Sequence, residues 1–137
     1  MGVYNMTCSD VNKECYTTTM RYRMSSRDVF YGGGVVNGAR SITYMGDLAE
    51  RLISKVFNNS GRCIGIEKIR LHNPVFAGDY MEFIARVIER DDKKVKIECR
   101  SFKVAAIPEN PEFESSIDVL EEPQISTSAI MIYESLS

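Results

Sequence analysis

The chain has 137 residues, a formal net charge of −2, 44% hydrophobic residues and 26% charged ones. This length suits one domain with a core that needs neither disulfides nor metal, and the ordinary apolar content excludes disorder of the bulk. Lys and Arg number 17 against 19 Asp and Glu, interleaved along the chain, so no basic face points to nucleic acid or a membrane surface, and no long apolar run reads as a membrane span.

Residues 1–15 are polar and patternless and are expected to form a flexible N-terminal arm. The start, MGVYNMTCSDVNKEC, has neither the basic nor the apolar region of a secretory signal, and Met6 stands where a myristoylation motif wants Ser or Thr. A cytoplasmic location is therefore expected. The cysteines, at 8, 15, 63 and 99, lack CxxC spacing, and His72 is the lone imidazole, so no metal site is expected. Cys63 and Cys99 read as free thiols serving as small core residues. His72, at a strand end, reads as a surface or turn residue.

From Tyr16 to Met24, YTTTMRYRM is rich in β-branched and aromatic residues and predicts a strand. The loop that follows, SSRDVFYGGG, ends in three successive glycines at 32–34. Asn37 is placed to cap a helix over Gly38–Phe57, in which Ile42, Met45, Leu48, Ala49, Leu52, Ile53 and Val56 form one apolar stripe. Arg40, Thr43, Asp47, Glu50, Arg51 and Ser54 occupy the polar face, and NNSG at 58–61 ends the helix.

The period then changes to two. Strands are predicted over 62–72, 80–90, 93–106 and 124–135, with a turn at Asn73–Asp79 and another at Asp91–Asp92. Residues 107–123, acidic and carrying three prolines, are expected to be a long excursion between strands. Met81, Phe83, Ala85 and Val87 share one face of their strand, as do Val95, Ile97, Cys99 and Ser101 of the next. One long helix among several strands predicts an α+β arrangement, a curved antiparallel sheet of about five strands wrapped around the helix.

The ordered set of Arg27–Asp28, Tyr31–Gly32–Gly33, VNGAR at 36–40 and Gly46–Asp47 resembles the hotdog superfamily of acyl-thioester enzymes. Within it, the set is similar to the ammonia-lyases that act on 3-aminoacyl-CoA, such as the β-alanyl-CoA and 3-aminobutyryl-CoA enzymes of amino-acid fermentation. PVFAGDYMEF at 74–83, SFKVA at 101–105 and the acidic insertion before the last strand fit the same pattern, and the resemblance spans residues 18–135. The resemblance implies a single hotdog domain over 16–137, an acyl-CoA substrate, and assembly as a homodimer or as a hexamer built from three dimers. It implies no metal or redox cofactor, coenzyme A entering only as part of the substrate. The family reads Asp-Ala-His-Tyr before the glycines where this chain has Asp28–Val29–Phe30–Tyr31, and Arg70 stands where a carboxylate is common.

Eliminating ammonia from such a thioester requires a base for the proton next to the carbonyl and donors for the developing enolate oxygen. The first amides of the helix are natural donors, and Gly33 and Gly34 would let a thioester approach the backbone, unless they serve only a turn of positive φ. Val35 and Asn37 border the same place. Asp47 and Asp28 are the acid–base candidates. Asp47 is otherwise a solvated residue of the helix's polar face, and Asp28 an ordinary loop carboxylate. Gly46, costly inside a helix, suggests close approach of a ligand or a second chain. Tyr31 is a candidate donor to the substrate or a packing residue, and Arg40 a phosphate partner or part of the solvated face. The leading expectation is a 3-aminoacyl-CoA ammonia-lyase. The alternative is a hotdog acyl-CoA thioesterase in which Asp28 or Asp47 activates water or attacks the thioester, and a third class is a non-catalytic acyl-CoA-binding subunit.

Overall fold

The computed structural model describes residues 16–29 and 31–136. The arm expected at 1–15, with Cys8 and Cys15, lies outside the described residues. Strand β1 (Thr17–Arg23) is followed by two short 3-10 turns (Ser26–Asp28 and Gly32–Gly34), helix α1 (Gly38–Phe57), and strands β2 (Arg62–Leu71), β3 (Tyr80–Arg90), β4 (Lys94–Ala106) and β5 (Asp118–Glu134). The five strands form one sheet in the order β1-β3-β4-β5-β2, every pair antiparallel.

Helix α1 lies across one face of this sheet. It has 20 residues, about 30 Å of helix at 1.5 Å per residue, enough to span the sheet. The Asn37 side chain accepts from the Ala39 amide at 3.0 Å, and Asn58, left-handed at φ 59°, ends the helix with its amide on Ser54 O. Met45, Leu48, Ala49, Leu52 and Ile53 are buried on the predicted stripe, against Phe83, Ala85, Ile97, Cys99, Ala129 and Met131 of the three central strands. Each large side chain buried in this way contributes about 1.5–3 kcal/mol. Burial also pushes the Cys99 thiol up to about 12, which keeps it protonated.

Three expectations are corrected. The last strand begins at Asp118 rather than at 124, because Asp118 and Val119 already pair with Ala106 and Ala105. The ladder then shifts register between Lys103 and Ala105, which leaves 120–123 opposite Val104 and accommodates Pro123 at an irregularity. Cys63 is exposed, not a core residue: β2 is an edge strand with register shifts at Cys63/Gly65 and Glu67/Arg70, and the core is closed by the other four strands. Gly46 faces the sheet of its own chain, where an added Cβ would sit 3.9 Å from Met131 and 4.0 Å from the Tyr133 hydroxyl. That is ordinary contact, so no ligand is needed to explain the glycine.

The turn at 74–79 fastens three parts of the chain. Asp79 accepts from the Phe76 amide at 2.8 Å and from Lys103 Nζ at 2.9 Å, both side chains being buried. The Met24 amide donates to Asp79 O and the Gly78 amide to Met24 O, which fixes the end of β1. The Val36 amide donates to Val75 O and the Ala77 amide to Gly34 O, which fixes the approach to α1. Lys103→Ala strands the Asp79 carboxylate without its cation and is expected to cost about 3–5 kcal/mol in urea denaturation. The double replacement Asp79→Asn with Lys103→Met should recover most of that loss, since the desolvation penalty goes with the charges.

Candidate active site

Asp28 is the best-defined group at the start of the helix. Ser25 caps the 3-10 turn, and the Asp28 carboxylate reaches back to the Ser25 amide, which donates to Oδ2 at 2.8 Å. The other oxygen, Oδ1, accepts from Arg40 Nε at 2.8 Å and from the Tyr44 hydroxyl at 2.6 Å. The side chain is wholly buried. Burial alone would raise its pKa, but the donors from Ser25, Tyr44 and Arg40 outweigh it and hold the carboxyl below its ordinary value of 3.8. Tyr44 moves the other way: burial, the Asp28 carboxylate and Tyr22 push its phenol well above the usual tyrosine range. Its ring stacks on Tyr22 at 4.2 Å between centroids and meets Phe83 edge-on.

The other predicted residues divide into two groups. Arg40, expected on the solvated face, is instead engaged with Asp28. Asp47 is exposed and lies three residues past Tyr44 and seven past Arg40, so all three fall on one face of α1. Asp28 is not part of that surface, and the structure does not bring the two aspartates together within one chain: Asp28 is sealed beneath Arg40 and Tyr44, while Asp47 stands in the open. Tyr31 is 56% exposed.

Gly33 and Gly34 have φ of 82° and 78°, and an added Cβ at either would meet nothing within 4 Å. The turn itself requires these glycines, and the space beside them is open. Val35 bridges Phe76, which sets the chain's path into the helix. The Ala39 amide is taken by Asn37 Oδ1 and the Arg40 amide by Asn37 O, so of the first three helical amides only that of Gly38 has no partner among the described residues. Gly38 borders a cavity of about 280 Å³ together with Ser41, His72, Asn73, Val75 and Thr127. Leu71 closes over it, and a Cβ at position 38 would lie 2.8 Å from Leu71 Cδ1.

Sequence reasoning missed Tyr44 and Ser41, whereas Gly38 is the first of the helical amides it offered as donors. Tyr44 lies one turn after Arg40, and that spacing is the signal that pairs them. Ser41, buried on the helix beside the cavity, breaks the apolar stripe without a visible sign in the pattern.

A five-stranded antiparallel sheet laid around one long helix, with a glycine loop at the helix start, defines a hotdog fold. Its overall shape is similar to the β-alanyl-CoA:ammonia lyase of Clostridium propionicum, with a TM-score of 0.82 and 24% identity over 88% of this chain and 85% of that one. It is also similar to a hexameric thioesterase of Yersinia pestis, with a TM-score of 0.68 and 14% identity over 86% of this chain and 85% of that one. No family profile matches the sequence. The chain is, however, 34% identical over 106 residues to the 3-aminobutyryl-CoA ammonia lyase of Acetoanaerobium sticklandii, covering 77% of this chain and 83% of the relative. The chain belongs to this ammonia-lyase family.

Because the folded pKa of Asp28 is depressed, its contribution to stability is present above its ordinary value of 3.8 and is lost as pH falls through the lower folded value. Asp28→Asn should lower stability by about 1–3 kcal/mol at pH 7, by presenting an amide to donors. It should also flatten the loss of stability between pH 5 and the acid limit, read from denaturant midpoints across pH.

Proposed function

We propose that this protein reversibly eliminates ammonia from a short 3-aminoacyl-CoA to give the 2-enoyl-CoA. The observation that carries the reading is the cavity at the start of α1, bordered by Gly38, whose amide has no partner among the described residues, in a chain of this family. In the proposed reaction the thioester carbonyl oxygen accepts from the Gly38 amide, where the helix dipole favours developing negative charge. Asp47 of the partner subunit takes the proton from C2, since Asp47 of the same chain lies nine residues, about 13 Å of helix, beyond Gly38. The C2–H electron pair forms the C2–C3 double bond, the C3–N bond breaks, and its electron pair leaves with nitrogen as ammonia. The partner's Asp47 then returns its proton to solvent or to the departing ammonia. Asp28 is a positioning residue: buried and already carrying its donors, it fixes Arg40 and Tyr44 on the face that carries Asp47. Tyr31 and Arg40 are proposed to contact the substrate from the exposed side. The acidity of a proton next to a thioester, with a carboxylate and an amide donor, makes metal or redox assistance unnecessary. A coenzyme A substrate fits a cytoplasmic location; no helix among the described residues is long and apolar enough to cross a membrane.

Asp47 stands in the open, so the proposed site is finished by a second copy. Edge strand β2 offers the means. It leaves Ile64, Ile66, Ile69 and Leu71 between 38% and 65% exposed beside a strand edge that no described residue pairs with, a surface that folded proteins ordinarily cover. A homodimer through this edge, or a hexamer built from such dimers, is the proposed assembly. Ile66→Lys should shift the mass measured by light scattering to that of the monomer, and lyase activity should fall with it.

The reaction is tested with β-alanyl-CoA and 3-aminobutyryl-CoA, following ammonia, enoyl-thioester absorbance and free thiol together. Ammonia without thiol, with kcat reduced by about 10²–10⁴-fold in Asp47→Asn, is the expected outcome. Thiol without ammonia would instead make the protein a thioesterase. Ammonia release undiminished in Asp47→Asn would leave the lyase reading standing and remove Asp47 from it.

A further inference from the structure

A basic concavity lies on the face of the sheet that points away from α1. Ser128 of β5 pairs with Arg70 of β2 on one side and with Arg100 of β4 on the other. With strands about 4.8 Å apart, two guanidinium-bearing positions flank one small hydroxyl residue at a separation of about 10 Å. Lys68 completes the rim of a cavity of about 220 Å³ floored by Ser128, Ala129 and Ile130. Its one carboxylate, Glu98, is already bonded to Arg86 at 3.0 Å and to Arg100 at 3.3 Å. Lys68 and Arg70 have no carboxylate partner among the described residues. His72 joins the row, its Nε2 lying 2.9 Å from Ser128 Oγ.

A second observation is independent of charge. Lys68 has φ 53°, a left-handed conformation that glycine adopts freely and lysine does not. It sits in the register shift between Glu67 and Arg70, so that Glu67 pairs with Ile130 and Arg70 with Ser128, both on the outward face. A bulge of this kind re-aims side chains, and non-glycine residues held in such conformations cluster at ligand sites.

We infer that this concavity binds the phosphate groups at the nucleotide end of coenzyme A, an inference that rests on the reading of the protein as an acyl-CoA enzyme. Guanidinium forks, an ammonium and a hydroxyl converging on one hollow are the chemistry that recognises a phosphate dianion. The position agrees with it. His72 lines the cavity at the start of α1 and reaches Ser128 at the floor of this hollow, so the pantetheine arm would pass around the end of β2 from one to the other.

The test is calorimetric titration of the full-length protein with coenzyme A and, separately, with pantetheine, which lacks the nucleotide and its phosphates. Wild type is expected to prefer coenzyme A. Lys68→Gly and Arg70→Ala should each weaken coenzyme A about tenfold, so that the preference over pantetheine shrinks. Lys68→Gly should meanwhile keep or raise the melting temperature, because it removes backbone strain, and a loss of affinity there is not a loss of fold. A preference unchanged in both variants, or a wild type that binds the two compounds alike or binds neither, overturns the inference. The ammonia assay separates the two readings: a preference lost in the variants without any lyase activity in wild type retains the phosphate site and discards the reaction, and the reverse pattern discards the site alone.

Discussion

A buried carboxylate organises the start of the helix. Removing an ion such as that of Asp28 from water costs several kcal/mol, and the cost is met only where donors are fixed in place beforehand. Here they come from three places in the chain: the Ser25 amide on the loop after β1, and Arg40 and Tyr44 on successive turns of α1. The loop and the helix are thereby locked to each other in one geometry. The glycine turn lies between them, so its ends are fixed as well. A neutral side chain at position 28 would leave a charged guanidinium and a phenol competing for water at the same place.

That lock would float if the sheet did not hold the loop. The turn at 74–79 supplies the hold, through Met24 on one side and Val35 and Val36 on the other. Asp79 is to this turn what Asp28 is to the helix start, a buried carboxylate whose partners come from separated segments, with Lys103 reaching it from β4. Two such anchors, one at each end of the glycine loop, explain how a segment with three glycines presents the start of a helix in a fixed position. Backbone freedom in glycine favours many conformations, and the anchors select one.

The helix and the change of period to two were legible because each rests on a local pattern. The stripe from Met45 to Ile53, the Asn37 cap and the alternation along β3 and β4 are all contained in short windows. The site was legible in part. Asp28 stood out as a loop carboxylate, but its burial, and the capture of Arg40 and Tyr44, arise from residues 12 and 16 positions apart meeting in space. No spacing rule reads that. Cys63 misled because alternation tells which face a residue takes on a strand, not whether anything covers that face. The start of β5 misled for the opposite reason: Glu121, Glu122 and Pro123 look like a loop, and only the pairing of Val119 with Ala105 makes the segment a strand.

The irregularity in β2 ties the two faces of the sheet together. In a regular strand, side chains alternate, so residues 67, 69 and 71 would share a face and Arg70 would take the other. The inserted residue at Lys68 reverses that parity. Glu67 and Arg70 both point outward, opposite Ile130 and Ser128, and Leu71 turns inward opposite Thr127, where it lies against Gly38. A single backbone feature therefore does two things: it lays an apolar side chain over the helix start and sets a guanidinium on the outer hollow. Straightening β2 would exchange them, setting Arg70 beside Gly38 and Leu71 among the cations of the outer face. The strained φ at Lys68 is what keeps the apolar cover on one side of the strand and the positive charge on the other.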